Sequence, residues 1–301
     1  YDTIILPSFD ACSVTVNSPF VVTVVANKNV NIQNQLVVAT GATFTVNDDA
    51  SLVQINDNAV NTGNIKVLRT TDIRLQDYVY WSSPVENFSL TSLSTSTPSG
   101  YFWKWNTTVS NSNGGLGNWQ NTSEIMIAAK GYIVRAPNGW NASTPTAFTT
   151  TFAGKPNNGI ITPTIERGTY TGANYAGTNG VTITRFSDNW NLVGNPYPSA
   201  ISANAFLIAN TNIEGAVRIW THATLPVSTG NQFYNSFAYN YTPNDYIVYN
   251  GTATTSGPTG FNGLIGSGQS FFVVMNDGAA ATSTVTFNNA MRNKSYNNSQ
   301  F

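Results

Sequence analysis

Between Ala11 and about Thr70 the chain repeats one short phrase, an apolar run followed by a polar turn. The runs are Ser13–Val16, Phe20–Val25, Val30–Ile32, Leu36–Val38, Phe44–Val46, Leu52–Ile55 and Ile65–Leu68. Asn, Gly and Asp fill the gaps, so a run recurs about every seven to ten residues, the kind of self-similarity that marks a solenoid. A strand this short cannot bury an apolar face alone. Stacked rungs can, because Val, Ile, Leu and Phe then form a continuous core while outward residues alternate with inward ones. The phrase therefore predicts a short β-solenoid of parallel β-helix-like repeats over residues 11–70. A meander of antiparallel hairpins would write a similar pattern.

Near Thr70 the texture changes, which places a domain boundary at residues 69–76. Aromatic residues become dense at Tyr78, Tyr80, Trp81 and Phe88, and again at Tyr101-Phe102-Trp103-Lys104-Trp105. Alternation in that last run puts Tyr101, Trp103 and Trp105 on one face and Phe102 and Lys104 on the other, as in a half-buried strand. Many short strands with turn signals follow, which argues for a β-sandwich or jelly-roll-like domain over 71–290. The whole is all-β, with residues 1–10 as an extended leader that Pro7 keeps out of a ladder and 291–301 as a linker or truncated strand. One short helix is expected, after the corner Gly194-Asn195-Pro196-Tyr197-Pro198. Ser199 or Ser202 can cap it, Phe206, Leu207 and Ile208 supply its apolar residues, and Asn210 stops it.

Composition narrows the chemistry. Of 301 residues only 9% are charged, with 13 basic side chains against 14 acidic ones. No basic groove for nucleic acid and no footprint for an anionic membrane is available. The apolar runs are far shorter than the roughly 20 residues needed to cross a bilayer. The single cysteine, Cys12, excludes an internal disulfide framework, and its neighbours Ala11, Val14 and Val16 predict a small buried hydrophobe. His222 is the sole histidine, which leaves a Ser-His-Asp relay at most one base, and no G-x-S-x-G elbow accompanies it. Asp188, Glu214 and Asp245 lie in or beside turns, where Arg185, Arg218 and Arg292 are candidate ion-pair partners. A non-enzyme is expected, and no cofactor. If any metal binds it is calcium, with Asp48, Asp49 and Asp57 as oxygen ligands in the turns; turn residues bonding their own backbone are the plainer reading.

The aromatic supply is the better functional clue. Trp119 and Trp140 stand in polar, Gly- or Asn-rich loops, where an exposed ring can stack on a sugar while neighbouring amides bond its hydroxyls. They form a candidate glycan platform, set against covers for the ends of the sandwich.

Several pieces together resemble a module of large flavobacterial and other Bacteroidota surface proteins exported by type IX secretion. They are Tyr80-Trp81-Ser82-Ser83-Pro84-Val85, Gly131-Tyr132, Asn191 to Ser199, Ile219-Trp220-Thr221-His222, Gly268 to Val273, and Phe287 to Arg292. In that family Asp often stands where this chain has Ser202 and Asn204. Asp2-Thr3-Ile4 likewise looks like a Bacteroidota O-glycosylation acceptor at Thr3. The resemblance implies a non-catalytic structural or adhesive module at the outer-membrane surface or outside the cell. Its partners would be surface or matrix components including glycans, other copies through self-assembly, and the secretion machinery through a sorting domain outside this chain. The alternative is a carbohydrate-binding module of a secreted hydrolase. The chain opens on Tyr1 without a signal-peptide pattern, so either an export signal has been removed or this is a window on a longer polypeptide.

Overall fold

A computed structural model describes residues 3–228, 239–278 and 280–299, and these are all-β apart from one α-helix and short 3-10 turns. The first nine strands are β1 (Thr3–Leu6), β2 (Phe9–Ala11), β3 (Val14–Val16), β4 (Val21–Val24), β5 (Asn29–Ile32), β6 (Leu36–Val38), β7 (Thr43–Val46), β8 (Ser51–Gln54) and β9 (Ile65–Ile73). They form three parallel ladders, in the orders β1-β4-β7-β9, β2-β5-β8 and β3-β6. Val14 pairs with Leu36, Val21 with Thr43 and Asn29 with Ser51, so one coil spans 22 residues at these positions, and the first two coils hold three strands each. The turns repeat with the strands. Residues 12, 34 and 56 occupy one corner of successive coils, where the Asn34 amide donates to Cys12 Sγ at 3.3 Å and the Asn56 amide donates to Asn34 Oδ1 at 3.0 Å. Cys12 is therefore exposed at a corner, not a buried hydrophobe, because its position belongs to the polar turn ladder.

Inward residues follow the pleat: Val22 and Val24, Val30 and Ile32, Leu36 and Val38, Phe44 and Val46 are all buried. Such fully buried aliphatic side chains contribute roughly 1.5–3 kcal/mol each relative to exposure. Two terminal expectations change. Residues 3–11 are the first coil and not a loose leader, since β1 and β2 pair in register with β4 and β5. Pro7 falls between those strands, where its missing N–H costs no ladder bond.

Five strands follow: β10 (Tyr78–Trp81), β11 (Phe102–Ser110), β12 (Leu116–Asn121), β13 (Tyr132–Arg135) and β14 (Thr146–Gly154). β14 returns to pair antiparallel with all nine residues of β9, which covers the last edge of the parallel stack. The other four form a sheet in the order β10-β13-β11-β12. The boundary expected at 69–76 coincides with the end of β9 and the turn closed by Arg74 and Asp77, whose side chains pair at 2.8 Å. Packing does not pause there. One cluster joins Phe44, Val46 and Leu52 of the coil to Trp81, Phe102, Val134 and Phe152.

The rest of the chain supplies β15 (Thr164–Glu166), the hairpin β16 (Tyr175–Ala176) and β17 (Thr182–Ile183), β18 (Trp190–Gly194), β19 (Ile201–Ser202), α1 (Ala203–Ala209) and β20 (Val217–Trp220). It ends with the pair β21 (Val227–Ser228) and β22 (Tyr239–Asn240), then β23 (Tyr246–Tyr249), β24 (Thr254–Ser256), β25 (Leu264–Ile265), β26 (Ser270–Val274) and β27 (Thr282–Thr284). The main sheet runs β18-β26-β20-β23-β24 and is antiparallel. Period-two alternation sorts its side chains: Val193, Val217, Ile219, Ile247, Phe271 and Val273 face a core with α1, while Trp190, Leu192, Trp220, Tyr246 and Phe272 face the first sheet. In the first sheet Phe102 joins the coil core, whereas Tyr101, Trp103 and Trp105 pack on the opposite, aromatic side. The layers thus run coil, first sheet, aromatic layer, second sheet, helix.

The corner folds as its residues suggest. Ser202 caps α1, its hydroxyl accepting from Ala205 N at 3.1 Å, and Asn210 ends the helix. Asn195 is buried and donates to the carbonyls of Ser199, Ile265 and Gly266. The C-terminal stretch is no linker. Arg292 inserts against the coil, donating to Leu52 O at 2.5 Å and Ser199 Oγ at 2.9 Å, and the Asn298 amide donates to Ala50 O at 2.7 Å.

Candidate functional site

The aromatic layer is not filled at its far end. There the two sheets diverge around a cleft of about 480 Å³, within the size range of small-ligand pockets. Phe272 is its buried base. Around that ring stand Trp105 at 5.2 Å, Trp190 at 5.8 Å, Trp119 at 5.9 Å and Tyr246 at 6.2 Å between centroids, inclined by 61° to 85°. Such steep edge-to-face arrangements suit the ring quadrupoles and leave aromatic walls around a floor. Leu116, Val181 and Ile183 complete the apolar lining, with Asn111, Asn113 and Ser187 among its polar residues.

Strand geometry explains how the walls are held. Trp105 sits on β11 directly opposite Trp119 on β12. Gly117 lies beside them at φ +92°, and a Cβ there would come within 2.4 Å of the Trp105 ring, so only glycine admits this packing. Trp105 Nε1 and Thr107 Oγ1 both donate to Trp190 O, at 2.7 Å and 2.6 Å, tying the first sheet to the second. The hydroxyls of Tyr80 and Tyr246 meet at 2.5 Å, and burial pushes both phenols up, so both stay neutral.

Among the described residues one charged side chain lines the cleft. Arg218 is the cross-strand neighbour of Phe272, and its guanidinium lies 4.7 Å from the Trp190 ring centroid, a cation–π geometry. Its Nη2 bonds Glu214 at 2.6 Å. Its Nη1 is buried without an acceptor among the described residues. A donor left in that state costs about 1–3 kcal/mol.

The residues proposed from sequence are distributed differently. Trp119 is a wall of this cleft, but Trp140 is elsewhere, packed on the coil core against Phe148 at 5.9 Å. The two rings thus belong to different layers and make no common platform, because β12 and the loop before β14 border opposite faces of the first sheet. Trp105 and Trp190 complete the cleft with Tyr246 and Phe272; alternation put Trp105 on one face with Tyr101 and Trp103 but could not show that the layer opens there.

The turn aspartates serve the fold. Asp48 and Asp49 face the buried Arg69, at 3.1 Å and 3.9 Å, and burial, then Asp48, pushes the Asp49 carboxyl up. Asp57 instead accepts from Asn289 N at 2.8 Å. Among the described residues no three His, Cys, Asp or Glu side chains gather as a metal site. His222 lies two residues beyond β20 at φ +41°, with Nε2 3.2 Å from Asp72 O, and burial lowers its pKa. Of the three arginines considered, Arg218 pairs with Glu214 and Arg185 with Asp277, while Arg292 bonds neutral groups and lies 4.6 Å from the Tyr197 ring centroid. Asp245 receives Thr224 Oγ1 at 2.6 Å. The side chain of Thr3 lies outside the described residues.

The profile of the family described as Domain of unknown function (DUF8693) matches residues 2–301. No curated protein matches the chain, and no solved structure does.

Proposed function

We propose, for a chain that belongs to the Domain of unknown function (DUF8693) family, a non-catalytic structural or adhesive module of a large bacterial surface or secreted protein. Export by type IX secretion and an extracellular position are part of the proposal, and rest on the resemblance of the corner and strand motifs. The observation that carries the structural role is the unbroken layering. A stacked coil shares one hydrophobic cluster with the first sheet, buried Arg69 ties adjacent coils through Asp48, and buried Arg292 ties the coil to the C-terminal stretch. Such an object transmits load from coil to sandwich without a hinge. The test is twofold: protease treatment of intact cells that express the parent protein, and an assay of the purified chain on polysaccharide and peptide panels. Protection from the protease sinks the surface location. Turnover abolished by one carboxylate substitution sinks the non-catalytic reading.

Carbohydrate recognition is the second reading, favoured by the aromatic cleft.

A further inference from the structure

We infer that the inter-sheet cleft takes an uncharged pyranose ring of a neutral glycan, with Arg218 as its polar anchor; this deepens the carbohydrate reading and rests on it. Three observations lead there. The walls are the rings of Trp105, Trp119, Trp190 and Tyr246 around Phe272, and a flat aromatic face matches the C–H face of a sugar ring. Arg218 lines the cleft and keeps a buried Nη1 with no acceptor among the described residues; an aliphatic or purely aromatic ligand would leave it so, whereas a ligand hydroxyl that the guanidinium turns to meet satisfies it. The charge is already matched. Glu214 holds the same guanidinium at 2.6 Å, and among the described residues no other Lys, Arg, Asp or Glu lines the cleft.

That last point selects the ligand class. A uronate or sulfate would enter a nearly apolar space beside the Glu214 carboxylate with no uncompensated cation to receive it, and would bear the desolvation cost of a buried charge. A hydroxyl accepts from Nη1 without adding charge. Recognition should therefore depend little on salt, because screening acts on charge pairs.

The experiment is a titration of tryptophan emission of the full chain with neutral gluco-, xylo- and manno-oligosaccharides, with oligogalacturonate and alginate oligomers, and with the apolar dye ANS. Acrylamide quenching is recorded with and without each ligand. The expected result is saturable binding of a neutral oligosaccharide that shields the indoles and is insensitive to salt. It should weaken roughly tenfold in Arg218→Met, the scale of one lost hydrogen bond to a charged donor, and also in Trp119→Phe, while Trp140→Phe leaves it unchanged. Shielding in the unmodified chain does not depend on any variant folding. Tighter, salt-sensitive binding of the acidic oligomers would overturn the choice of a neutral ring yet keep carbohydrate recognition. Binding of ANS alone would overturn both. Neutral-sugar binding that ignores Arg218→Met and Trp119→Phe would remove the site from this cleft.

Discussion

Arg69 shows how single residues carry this fold. Its side chain is 1% exposed and its compensating carboxylates, on Asp48 and Asp49, are about a third exposed. Asp48 Oδ1 also accepts from Thr70 N at 3.1 Å, so one turn of the coil neutralises the strand stacked next to it. Asp48→Asn keeps the shape and removes the charge. Its expected cost is about 1–3 kcal/mol in urea denaturation, below the ~3–5 kcal/mol of a fully buried broken pair because solvent reaches Asp48. An unchanged midpoint would mean that Arg69 is compensated elsewhere. Glu124 gives a pH signature. Burial pushes its carboxyl up, but bonds from Lys104, Tyr132 and Thr122 outweigh that and hold it below the ordinary glutamate value. A depressed carboxylate contributes stability that is present above its unfolded pKa and lost as pH falls through the folded one. Glu124→Gln should therefore flatten the acid limb of a stability–pH curve and leave the alkaline side alone. Asp48 was legible as a turn residue, but its partner was not, since Arg69 lies in a strand whose position in the next coil appears only on folding.

At the scale of elements, the strands were readable and their partners were not. Alternation in β4, β5 and β7 states which side is buried, and the same alternation fits a parallel coil or a meander. The 22-residue offset decides it, and that offset is visible in sequence only as the faint ladder of Cys12, Asn34 and Asn56. The cap of α1 was legible because Ser202 is a local signal, read three residues away by Ala205 N. The seam between the sheets was not. In the sequence Gly194 reads as a turn glycine and Gly131 is given no packing role, yet each marks a close approach: a Cβ on Gly131 would lie 2.4 Å from Leu192 Cγ, and one on Gly194 would lie 2.5 Å from Ser82 Cβ. Both sit where isolated bridges join the layers, Lys130 to Val193 and Trp81 to Gln269. Gly194→Ala should destabilise by about 1–3 kcal/mol, the range for overpacking a dense core, read as a lower midpoint in thermal or urea unfolding. A neutral outcome would show that the seam can widen.

Across the whole molecule, the shared cluster between coil and first sheet predicts how the chain comes apart. Coil and sandwich should melt together, with one calorimetric transition whose calorimetric and van't Hoff enthalpies agree. Two separated transitions would restore the boundary near residue 70 as an energetic one. C-terminal residues reinforce the coupling, for Arg292 and Asn298 bond carbonyls of β8 and the turn before it, more than 200 residues away in sequence. The candidate cleft belongs to this scale too. Trp105, Trp119, Trp190, Arg218, Tyr246 and Phe272 come from six different strands, so no local pattern announces it. By itself the sequence determined the strand class, the buried face of the alternating strands, the corner and its capped helix, because those follow from backbone sterics, period-two alternation and bonds within a few residues. Only the tertiary structure decided that the coil and sandwich share a core, that the turn acids answer a buried arginine, and that the aromatic layer opens around Arg218, because each depends on which distant strands meet and how closely their side chains let them approach.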